Sequence, residues 1–314
     1  MVKQAQASAA LREEARRELA AKIVTHMVGV GVLETAVPGM SLYRRVEATA
    51  CNSATYEPRL IVFVQGEKRI AVGKSVHICK GSNFLLTSVD LPVVSQVVKA
   101  SEREPLLGLM LDLDMAVVRE ILNQGEFDIP DDASGAQGMA VGISSPELLL
   151  ACRRLVELLD APQDIPFLGT LLRREIIYRL LRSPQGQHLR AIATLGDQNH
   201  RTAKAIAWLR ENYAKPLRVD ELASIARMGV STLHHHFRML TAMSPIQYQK
   251  QLRLHVARQR MLLDGLDATS AAFEVGYESA SQFNREYSRF FGLAPMRDIK
   301  ALRVHASGNE LRQV

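Results

Sequence analysis

Between Ser41 and Asp114 the chain consists of short apolar runs separated by glycine and proline. The clearest runs are 60–64, 70–72, 84–87, 93–98 and 106–113. Short apolar runs with turn residues about every eight positions are typical of antiparallel strands. Gly66 and Gly73 lie in the segments 65–68 and 72–75, whose composition predicts hairpin turns. The pattern therefore predicts an antiparallel sheet folded into a sandwich or barrel.

After this region the apolar positions recur every three or four residues, which indicates helices. A short helix is expected at 115–123, followed by a polar loop at 125–142. A longer helix should begin at Ser145 and Pro146, because proline is favoured in the first turn, and another should span 167–181. The apolar stripes of these two helices can pack on each other, on the sheet or on a second subunit. We interpret them as a dimerisation segment.

The last third of the chain contains a pattern that occurs twice, at 219–237 and 270–287. Each copy has a short helix, a turn with glycine, and a second helix in which polar and apolar positions alternate. This is the layout of a helix-turn-helix unit. Periodicity predicts further helices at 201–213, 245–263 and 295–302. We therefore expect an α+β protein whose C-terminal domain is all-helical and carries two helix-turn-helix units.

The second helix of each copy should have an inner and an outer face. Leu233 and Phe237 in the first copy, and Phe283 and Tyr287 in the second, are spaced to face inward. The outer positions carry side chains that can hydrogen-bond to base edges and phosphates in a major groove. They are Ser231, Thr232, His234, His235 and Arg238 in the first copy and Ser281, Gln282, Arg285 and Arg289 in the second.

A single helix, 245–263, is expected to join the two copies. At roughly 1.5 Å per residue it would be about 28 Å long, and major-groove faces repeat about every 34 Å along DNA. A helix of this length could present both recognition helices to the same side of one duplex. We expect Lys250, Arg253, Arg258 and Arg260 on this helix to contact phosphates.

The positive charge is concentrated in the same region. The whole chain has 39 Lys and Arg against 33 Asp and Glu, and from Asp197 onward there are 17 against 11. The residues before Asp197 are therefore balanced in charge. A neutral part joined to a basic part suggests contact with a polyanion, for which double-stranded DNA is the first candidate. A basic excess on a solvated surface is the alternative.

Composition argues against several other classes. With 47% hydrophobic and 23% charged residues, the chain is typical of a soluble globular protein. No apolar run is long enough to span a membrane, and the N-terminus lacks the apolar core of a secretory signal, so a cytoplasmic location is expected. Cys51, Cys79 and Cys152 are odd in number and widely spaced, so they are expected to be reduced core thiols.

Catalytic and metal chemistry finds little support in the sequence. The run His234-His235-His236 cannot converge on one ion, because consecutive helical residues point about 100° apart. His77 is the only histidine between residues 34 and 114, which leaves the strand-rich region without a ligand set. We therefore expect no enzymatic activity, no cofactor and no metal.

The second copy contains a longer motif. From Ala272 to Pro295 it reads Ala-x-x-x-Gly-Tyr-Glu-Ser-x-Ser-Gln-Phe-x-Arg-Glu-Tyr-x-Arg-x-Phe-Gly-x-x-Pro. This motif resembles the C-terminal signature of the AraC/XylS family of bacterial transcription regulators. The segments 217–223 and 243–253 resemble the same family, so the likeness extends over 201–298. Segments similar to the sensor domain of one subgroup are 34–43, 56–58, 65–66 and 86–92.

The resemblance implies a domain organisation. It places an N-terminal helical arm at 1–32 and a cupin-like, β-rich sensor domain at 33–125. A helical dimerisation segment at 126–193 and a linker at 194–200 then lead to a DNA-binding domain at 201–303.

The resemblance also implies a function, that of a homodimeric, sequence-specific regulator of transcription. The family's base-reading positions fall on Ser231, Thr232, His234 and His235 in the first unit and on Ser281, Gln282 and Arg285 in the second. Many members carry Arg where this chain has His235, and a neutral imidazole cannot make the two-pronged contact to guanine that Arg makes. The implied partners are double-stranded DNA, a small-molecule effector on the N-terminal domain, and RNA polymerase as a candidate.

Two other classes of function stay open at this point. One is a cupin-type enzyme, metal-free or metal-dependent, with an appended DNA-binding module. The other is an assembly protein that uses its helical faces for partners and never contacts DNA.

Overall fold

The computed structural model describes residues 2–73, 75–125, 127, 137–194 and 198–310 of the chain. Within them, most strands lie in the first half and most helices in the second, so the predicted α+β class is confirmed. None of the helices in this described part is both long and apolar enough to cross a membrane.

The described strands form two antiparallel sheets. They are β1 (Gly31–Glu34), β2 (Met40–Arg45), β3 (Asn52–Tyr56), β4 (Arg59–Gln65), β5 (Glu67–Val72), β6 (Ser75–Lys80), β7 (Asn83–Thr87), β8 (Leu91–Lys99), β9 (Leu106–Asp112) and β10 (Met139–Ile143). The larger sheet has the order β1-β2-β9-β4-β7-β10, and the smaller has the order β3-β8-β5-β6. All five predicted apolar runs lie in strands, so that prediction is confirmed.

Strand β4 shows how the apolar pattern produces the two-layer packing. Its side chains alternate between faces, as in any strand. Leu60 and Val62 belong to a core shared with helices, whereas Ile61 and Phe63 belong to a core shared with the smaller sheet. Because both faces are covered, the strand reads as a continuous apolar run.

One predicted hairpin is confirmed and the other is wrong. Strands β5 and β6 pair with Val72 opposite Ser75, so the chain turns back on itself there. Strands β4 and β5 do not pair, because they lie in different sheets. Gly66 instead turns the corner between the sheets with φ of +79°, and a Cβ there would lie 2.6 Å from the Cα of Leu106. Only glycine fits such a corner.

Helices cover the outer face of the larger sheet. They are α1 (Val2–His26), α2 (Met115–Gln124), α3 (Pro146–Glu157), α4 (Thr170–Leu181) and α5 (Gly186–Ala193). Ser145 caps α3 by accepting a hydrogen bond from the backbone N–H of Leu148, with Pro146 in the first turn as predicted. Leu19 and Ile23 of α1 are fully buried, so the segment predicted as an N-terminal arm is part of this core.

The two apolar stripes of the predicted dimerisation segment lie in different environments. Helix α3 buries its stripe, including Leu149 and Leu155, in the core of its own chain. Next to α4, Phe167 is 72% exposed, and Leu171 on α4 is 50% exposed. Packing within the chain therefore covers the first stripe and only part of the second.

The loop predicted at 125–142 is partly wrong. Strand β10 lies inside it and pairs with β7, so the larger sheet gains an edge strand that the glycine-rich sequence conceals. Residues 126 and 128–136 of that loop lie outside the described residues, as do residues 195–197 of the predicted linker. Helix α5, before the linker, was not predicted.

The cysteines follow the prediction in two cases out of three. Cys79 and Cys152 are buried free thiols, whereas Cys51 is exposed. The expectation of a core position is wrong for Cys51, which is exposed and immediately precedes the edge strand β3.

The C-terminal part is helical, as predicted. Its helices are α6 (Gln198–Glu211), α7 (Val219–Ala226), α8 (Val230–Thr241), α9 (Pro245–Gln259), α10 (Ala268–Glu274), α11 (Ala280–Phe291) and α12 (Pro295–Glu310). Helix α9 is followed by a wider helical turn at Arg260–Asp264. The first helix-turn-helix pair is α7 and α8, and the second is α10 and α11. Helix α6 and the loop 212–218 pack against the first pair, and they are counted with it as the first unit.

The two units belong to different hydrophobic cores. The first unit contributes Leu222, Leu233 and Phe237 to the core that also fills the space between the sheets. The second contributes Phe283 and Tyr287 to a separate, smaller core. Thus the first unit is joined to the sheets by continuous packing, and the second is not.

Candidate nucleic-acid interface

The first helix-turn-helix unit has the predicted crossing of two small helices. Leu222, Ala223 and Ala226 of α7 are buried, and the turn passes through Arg227 in a left-handed conformation with φ of +51°. Gly229 is the N-cap of α8 and makes no side-chain cap bond. Small buried side chains allow the close helix contact that this motif requires.

Helix α8 presents a polar outer face. Ser231, Thr232, His235 and Arg238 are exposed and His234 is half-buried. Leu233 and Phe237 are fully buried on the opposite face, as expected.

The three consecutive histidines point in different directions. His236 is buried, and its ring meets that of His235 edge-on, with centroids 5.2 Å apart. In the described residues no group of three or more His, Cys, Asp or Glu side chains is placed to hold a metal ion.

Helix α11 of the second unit presents a similar face. Ser279 caps it by accepting from the backbone N–H of Gln282 at 3.3 Å. Ser281, Gln282, Arg285 and Arg289 are exposed, whereas Phe283 and Tyr287 are fully buried. The structure therefore exposes eight of the nine predicted DNA-contacting residues and half-buries His234.

Three arginines on the two outer faces keep their charge available. Among the described residues, no carboxylate oxygen lies within 4.0 Å of the guanidinium nitrogens of Arg238, Arg285 or Arg289. An uncompensated, exposed guanidinium can approach a phosphate or the N7 and O6 of guanine.

The connecting segment matches its prediction in length but not in chemistry. Helix α9 and the wider turn that follows it are helical from Pro245 to Asp264, and the regular part up to Gln259 is about 22 Å long. Four basic residues of this segment were expected to contact phosphates, and each is instead engaged within the protein. Lys250 pairs with Glu286 at 2.6 Å, and Arg260 pairs with Asp264 and Glu274 at 2.8 and 3.1 Å. These predictions were wrong because the sequence does not show which acidic side chains lie opposite the helix.

Arg253 on α9 holds backbone oxygens from both units. Its guanidinium donates to the carbonyls of Tyr213, Ala214 and Lys215, at the end of α6, over 2.7 to 3.1 Å. It also donates to the carbonyl of Gly276, in the turn of the second unit, at 2.9 Å. Arg253 therefore ties the two units together instead of contacting a phosphate.

Arg258 on α9 is a buried member of the second unit's core. Its Nε and Nη2 donate to the two carboxylate oxygens of Asp298 at 2.7 and 2.9 Å, and Tyr287 donates its hydroxyl to Asp298 at 2.7 Å. Its Nη1 donates to Oδ1 of Asn52 on the edge strand β3 at 3.0 Å. A bidentate pair of this kind satisfies a charge that would be costly to bury alone.

The first unit is fastened to the sheets through Asp90. The buried hydroxyl of Tyr248 donates to the carbonyl of Asp90 at 2.9 Å, and Arg210 pairs with the Asp90 carboxylate at 2.7 Å and also with Glu57. Burial raises the pKa of Asp90, and the positive charge of Arg210 opposes that rise. The sequence motifs did not indicate this contact, because Asp90 lies far from α6 and α9 along the chain.

The C-terminal end of α8 also contacts the sheet region. The carbonyl of Leu240 accepts a hydrogen bond from the backbone N–H of Gly138 at 2.9 Å. Ser231, Thr232 and His235 lie in the N-terminal half of α8 and are exposed. One end of the recognition helix is thus anchored to the sheet region, and the other carries the predicted reading residues.

A cleft separates the edge of the smaller sheet from the helical part. It has a volume of about 660 Å³ and is lined by strand β3 and by helices α6 and α9. Asn52 and Thr55 lie on the strand side, and Tyr213 and Val256 lie on the helical side. A small molecule in this cleft would contact both parts of the protein.

Comparison with family models identifies both halves of the chain. Residues 36–188 match the model of the AraC-type transcriptional regulator N-terminus, and residues 222–300 match a helix-turn-helix domain model. The first match covers β2 to β10 and the helices α2 to α4, and it leaves out α1 and β1. The second covers α8 to α11 with most of α7.

Curated relatives agree with these matches. The transcriptional regulator ArgR of Pseudomonas aeruginosa is 26% identical over 168 residues, 54% of this chain and 48% of ArgR. The transcriptional activator RhaS of Escherichia fergusonii is 30% identical over 148 residues, 46% of this chain and 50% of RhaS. The thermoregulatory protein LcrF of Yersinia pestis is 27% identical over 206 residues, 64% of this chain and 75% of LcrF. The matched region thus spans about half the length of ArgR and RhaS.

Solved structures share the fold over most of the chain. ToxT from Vibrio cholerae, with a bound unsaturated fatty acid, aligns with a TM-score of 0.56 at 12% identity, covering 85% of this chain and 94% of ToxT. At this level of identity the likeness concerns the fold. The two family models, which match residues 36–188 and 222–300 in the order seen here, show that the chain belongs to the AraC/XylS family of transcription regulators.

Proposed function

We propose that this protein is a sequence-specific DNA-binding regulator of transcription that contacts one duplex through α8 and α11. The observation that carries the proposal is the pair of helix-turn-helix units with exposed polar faces. The proposed contacts are Ser231, Thr232, His234, His235, Arg238, Ser281, Gln282, Arg285 and Arg289.

The two recognition helices should differ in how strongly they read bases. Helix α11 exposes two arginines, each able to make a two-pronged contact to guanine. Helix α8 exposes one arginine, and at His235 it carries an imidazole, which in its neutral form cannot make the two-pronged contact to guanine. We infer that α11 supplies the larger share of base discrimination.

The domain limits follow the proposed function. We propose a cupin-like sensor domain at 33–125, to which α1 and strand β10 also belong, a mainly helical segment at 126–193, a linker at 194–200 and a DNA-binding domain at 201–303. The continuous core between the sheets and the first unit supports a mechanical connection between sensing and DNA binding.

We further propose a small-molecule effector. ToxT, which shares the fold, was crystallised with a fatty acid, and the cleft beside β3 has a volume typical of ligand sites. An effector there contacts β3 and α9 at once, so its binding favours one placement of the DNA-binding domain. The change in DNA affinity is no larger than the effector's differential affinity for the two placements. A ligand-dependent rise in melting temperature, paired with a change in DNA affinity, is the test.

A homodimer in the cytoplasm is part of the proposal. The exposed Phe167, Leu168, Leu171 and Tyr178 on and beside α4 give a second copy an apolar surface to cover. Sedimentation of the purified protein measures this directly. The name of RhaS supports a role in activation, for which RNA polymerase is the expected partner.

DNA binding itself is tested by selection from a random pool of duplexes, followed by titration at several salt concentrations. We expect one enriched sequence with two separated sub-sites, and an affinity that falls steeply with salt because phosphate contacts release counterions. Equal binding to all duplexes, or none, would contradict the proposal. The assembly alternative predicts no enriched sequence.

A further inference from the structure

Glu286 lies on the recognition helix α11 one turn after Gln282, and three donors converge on its carboxylate. Lys250 of α9 lies 2.6 Å from Oε1, and the Tyr277 hydroxyl donates to Oε2 at 2.9 Å. The side-chain amide of Gln282 donates to Oε1 at 3.3 Å. Of these three donors, Gln282 alone is a predicted base-reading residue.

Two of the donors hold the carboxylate in place. Tyr277 is buried, and its ring packs edge-on against Phe283 with centroids 5.3 Å apart. Lys250 belongs to α9, the helix that carries Arg253 and thereby the contact between the units. Glu286 is therefore fixed by elements on both sides of α11, and only 20% of its side chain is exposed.

The carboxylate stays ionised in this setting. Burial by itself raises the pKa of Glu286, but the hydrogen bonds from Lys250, Tyr277 and Gln282 outweigh it, so the pKa lies below its usual value. An ionised carboxylate only accepts hydrogen bonds. The Gln282 amide therefore turns an N–H, and not its carbonyl oxygen, towards Glu286.

A fixed acceptor beside Gln282 determines what its amide can offer to DNA. One of its two N–H bonds points at Glu286, which leaves the other N–H and the carbonyl oxygen for an outside partner. One donor and one acceptor side by side match the N7 and N6 amino group of adenine in the major groove. They do not match guanine, which presents two acceptors there.

We propose that Glu286 is a positioning residue that orients the amide of Gln282 and so makes this position of α11 select adenine. The inference rests on the proposed function, since it concerns how a bound duplex is read. Glu286 itself does not contact DNA in this arrangement. Its effect on base choice passes through Gln282.

The experiment uses the full-length protein and the duplex it selects from a random pool. Binding is measured for that duplex and for its single-base-pair variants with wild type, Gln282→Ala, Glu286→Leu and the double variant. Glu286→Ala serves as a second form, should leucine prevent folding. Glu278→Leu is the control, because Glu278 is an exposed carboxylate close to the start of the same helix and removing it makes the same change in charge.

We expect Gln282→Ala to erase the preference for one adenine in the selected site. Glu286→Leu should reduce that same preference roughly three- to tenfold, the worth of one hydrogen bond, and add nothing once Gln282 is absent. The affinity of Glu286→Leu for the variant duplexes should stay the same or rise, because the substitution removes a negative charge next to the DNA. The Glu278→Leu control should keep the preference.

Two results would overturn the inference while leaving DNA binding intact. One is that Glu286→Leu prefers adenine at this site as strongly as the wild type does. The other is that the base selected at the position controlled by Gln282 is not adenine. A uniform loss of affinity on every duplex would show that Glu286 only supports the fold. If the wild-type protein selects no duplex at all, the proposed function is contradicted as well. This outcome is distinct from failure of the inference about Glu286 alone, in which DNA binding persists.

Discussion

At the scale of single residues, exposed and unpaired charge separates the interface from the scaffold. Arg285 and Arg289 are exposed, while Arg253 and Arg258 bind carbonyls and a carboxylate inside the protein. All four were plausible DNA contacts by residue type. Only the first two present their charge to a partner outside the chain.

Arg285 gives the most direct residue-scale prediction. Replacing it with alanine should cost about 1–3 kcal/mol of binding to the selected duplex and relax the preference at one base pair. Arg182→Ala, an exposed arginine after α4, is the matched control and should leave binding unchanged. An equal loss on every duplex would mean that Arg285 contacts phosphate and not a base.

His255 on α9 predicts a pH dependence of stability. Burial, assisted by the charge of Arg258, lowers the pKa of His255 from its usual value of 6.5 to about 4. The unfolded chain therefore takes up a proton at a higher pH than the folded protein does. The part of the free energy of unfolding that depends on neutral His255 is present in full above pH 6.5. It is lost progressively as the pH falls towards 4.

The size of this effect follows from the shift. By pH 5 the wild type should have lost about 2 kcal/mol more stability than His255→Gln, which lacks the titrating group. Urea unfolding of both proteins at pH 7.5 and pH 5 measures the difference. Parallel losses in the two proteins would show that His255 is not responsible.

At the scale of elements, α9 holds the two units together through hydrogen bonds to the chain after α6 and to the turn before α11. Arg253 joins the end of α6 to the turn before α11. In that turn Gly276 has φ of +88°, and a Cβ there would lie 2.0 Å from the carbonyl oxygen of Ala214. The two units therefore touch backbone to backbone, which determines how far apart their recognition helices lie.

A pair of glycines isolates the importance of that contact. Gly276→Ala should destabilise the protein by at least about 2 kcal/mol more than Gly292→Ala. Both glycines have left-handed φ, but nothing lies within 4 Å of a Cβ at Gly292, so the difference reports the contact alone. Thermal unfolding gives the comparison. Equal effects would argue against a close contact between the units.

Sequence reasoning succeeded with elements that local signals define. Ser145 and Ser279 cap their helices through their own hydroxyls, and the duplicated pattern gave both helix-turn-helix units. It failed for β10, because the pairing that makes 139–143 a strand comes from β7, more than fifty residues earlier. It also mistook the corner at Gly66 for a hairpin, because both kinds of turn use glycine.

At the scale of the whole molecule, the division into cores differs from the division into sequence domains. The sheets and the first unit share one core, with Phe63 and Phe237 in the same cluster, whereas the second unit has its own. Asp90, Arg210 and Tyr248 reinforce the shared core at its edge. A signal from the sheets should therefore reach the first unit before the second.

This division into cores predicts that the protein unfolds locally in two steps. In native-state hydrogen exchange, amides of α10 and α11 should lose protection together and before those of α7 and α8, which should open with the strands. Mass spectrometry of peptic fragments resolves these segments. If both units lost protection together while the sheets stayed protected, the shared core would not be a cooperative unit.

The primary structure alone determined the fold class, the two helix-turn-helix units, their inward and outward faces and the family, because each depends on periodicity, caps and motifs within about twenty residues. Which basic side chains have no acidic partner within the protein was determined only by the tertiary structure of the described residues. Arg258 meets Asn52 and Asp298, and Lys250 meets Glu286, and these partners lie far apart in the sequence. Side-chain pairing across such distances depends on how elements pack, and local patterns carry no record of it.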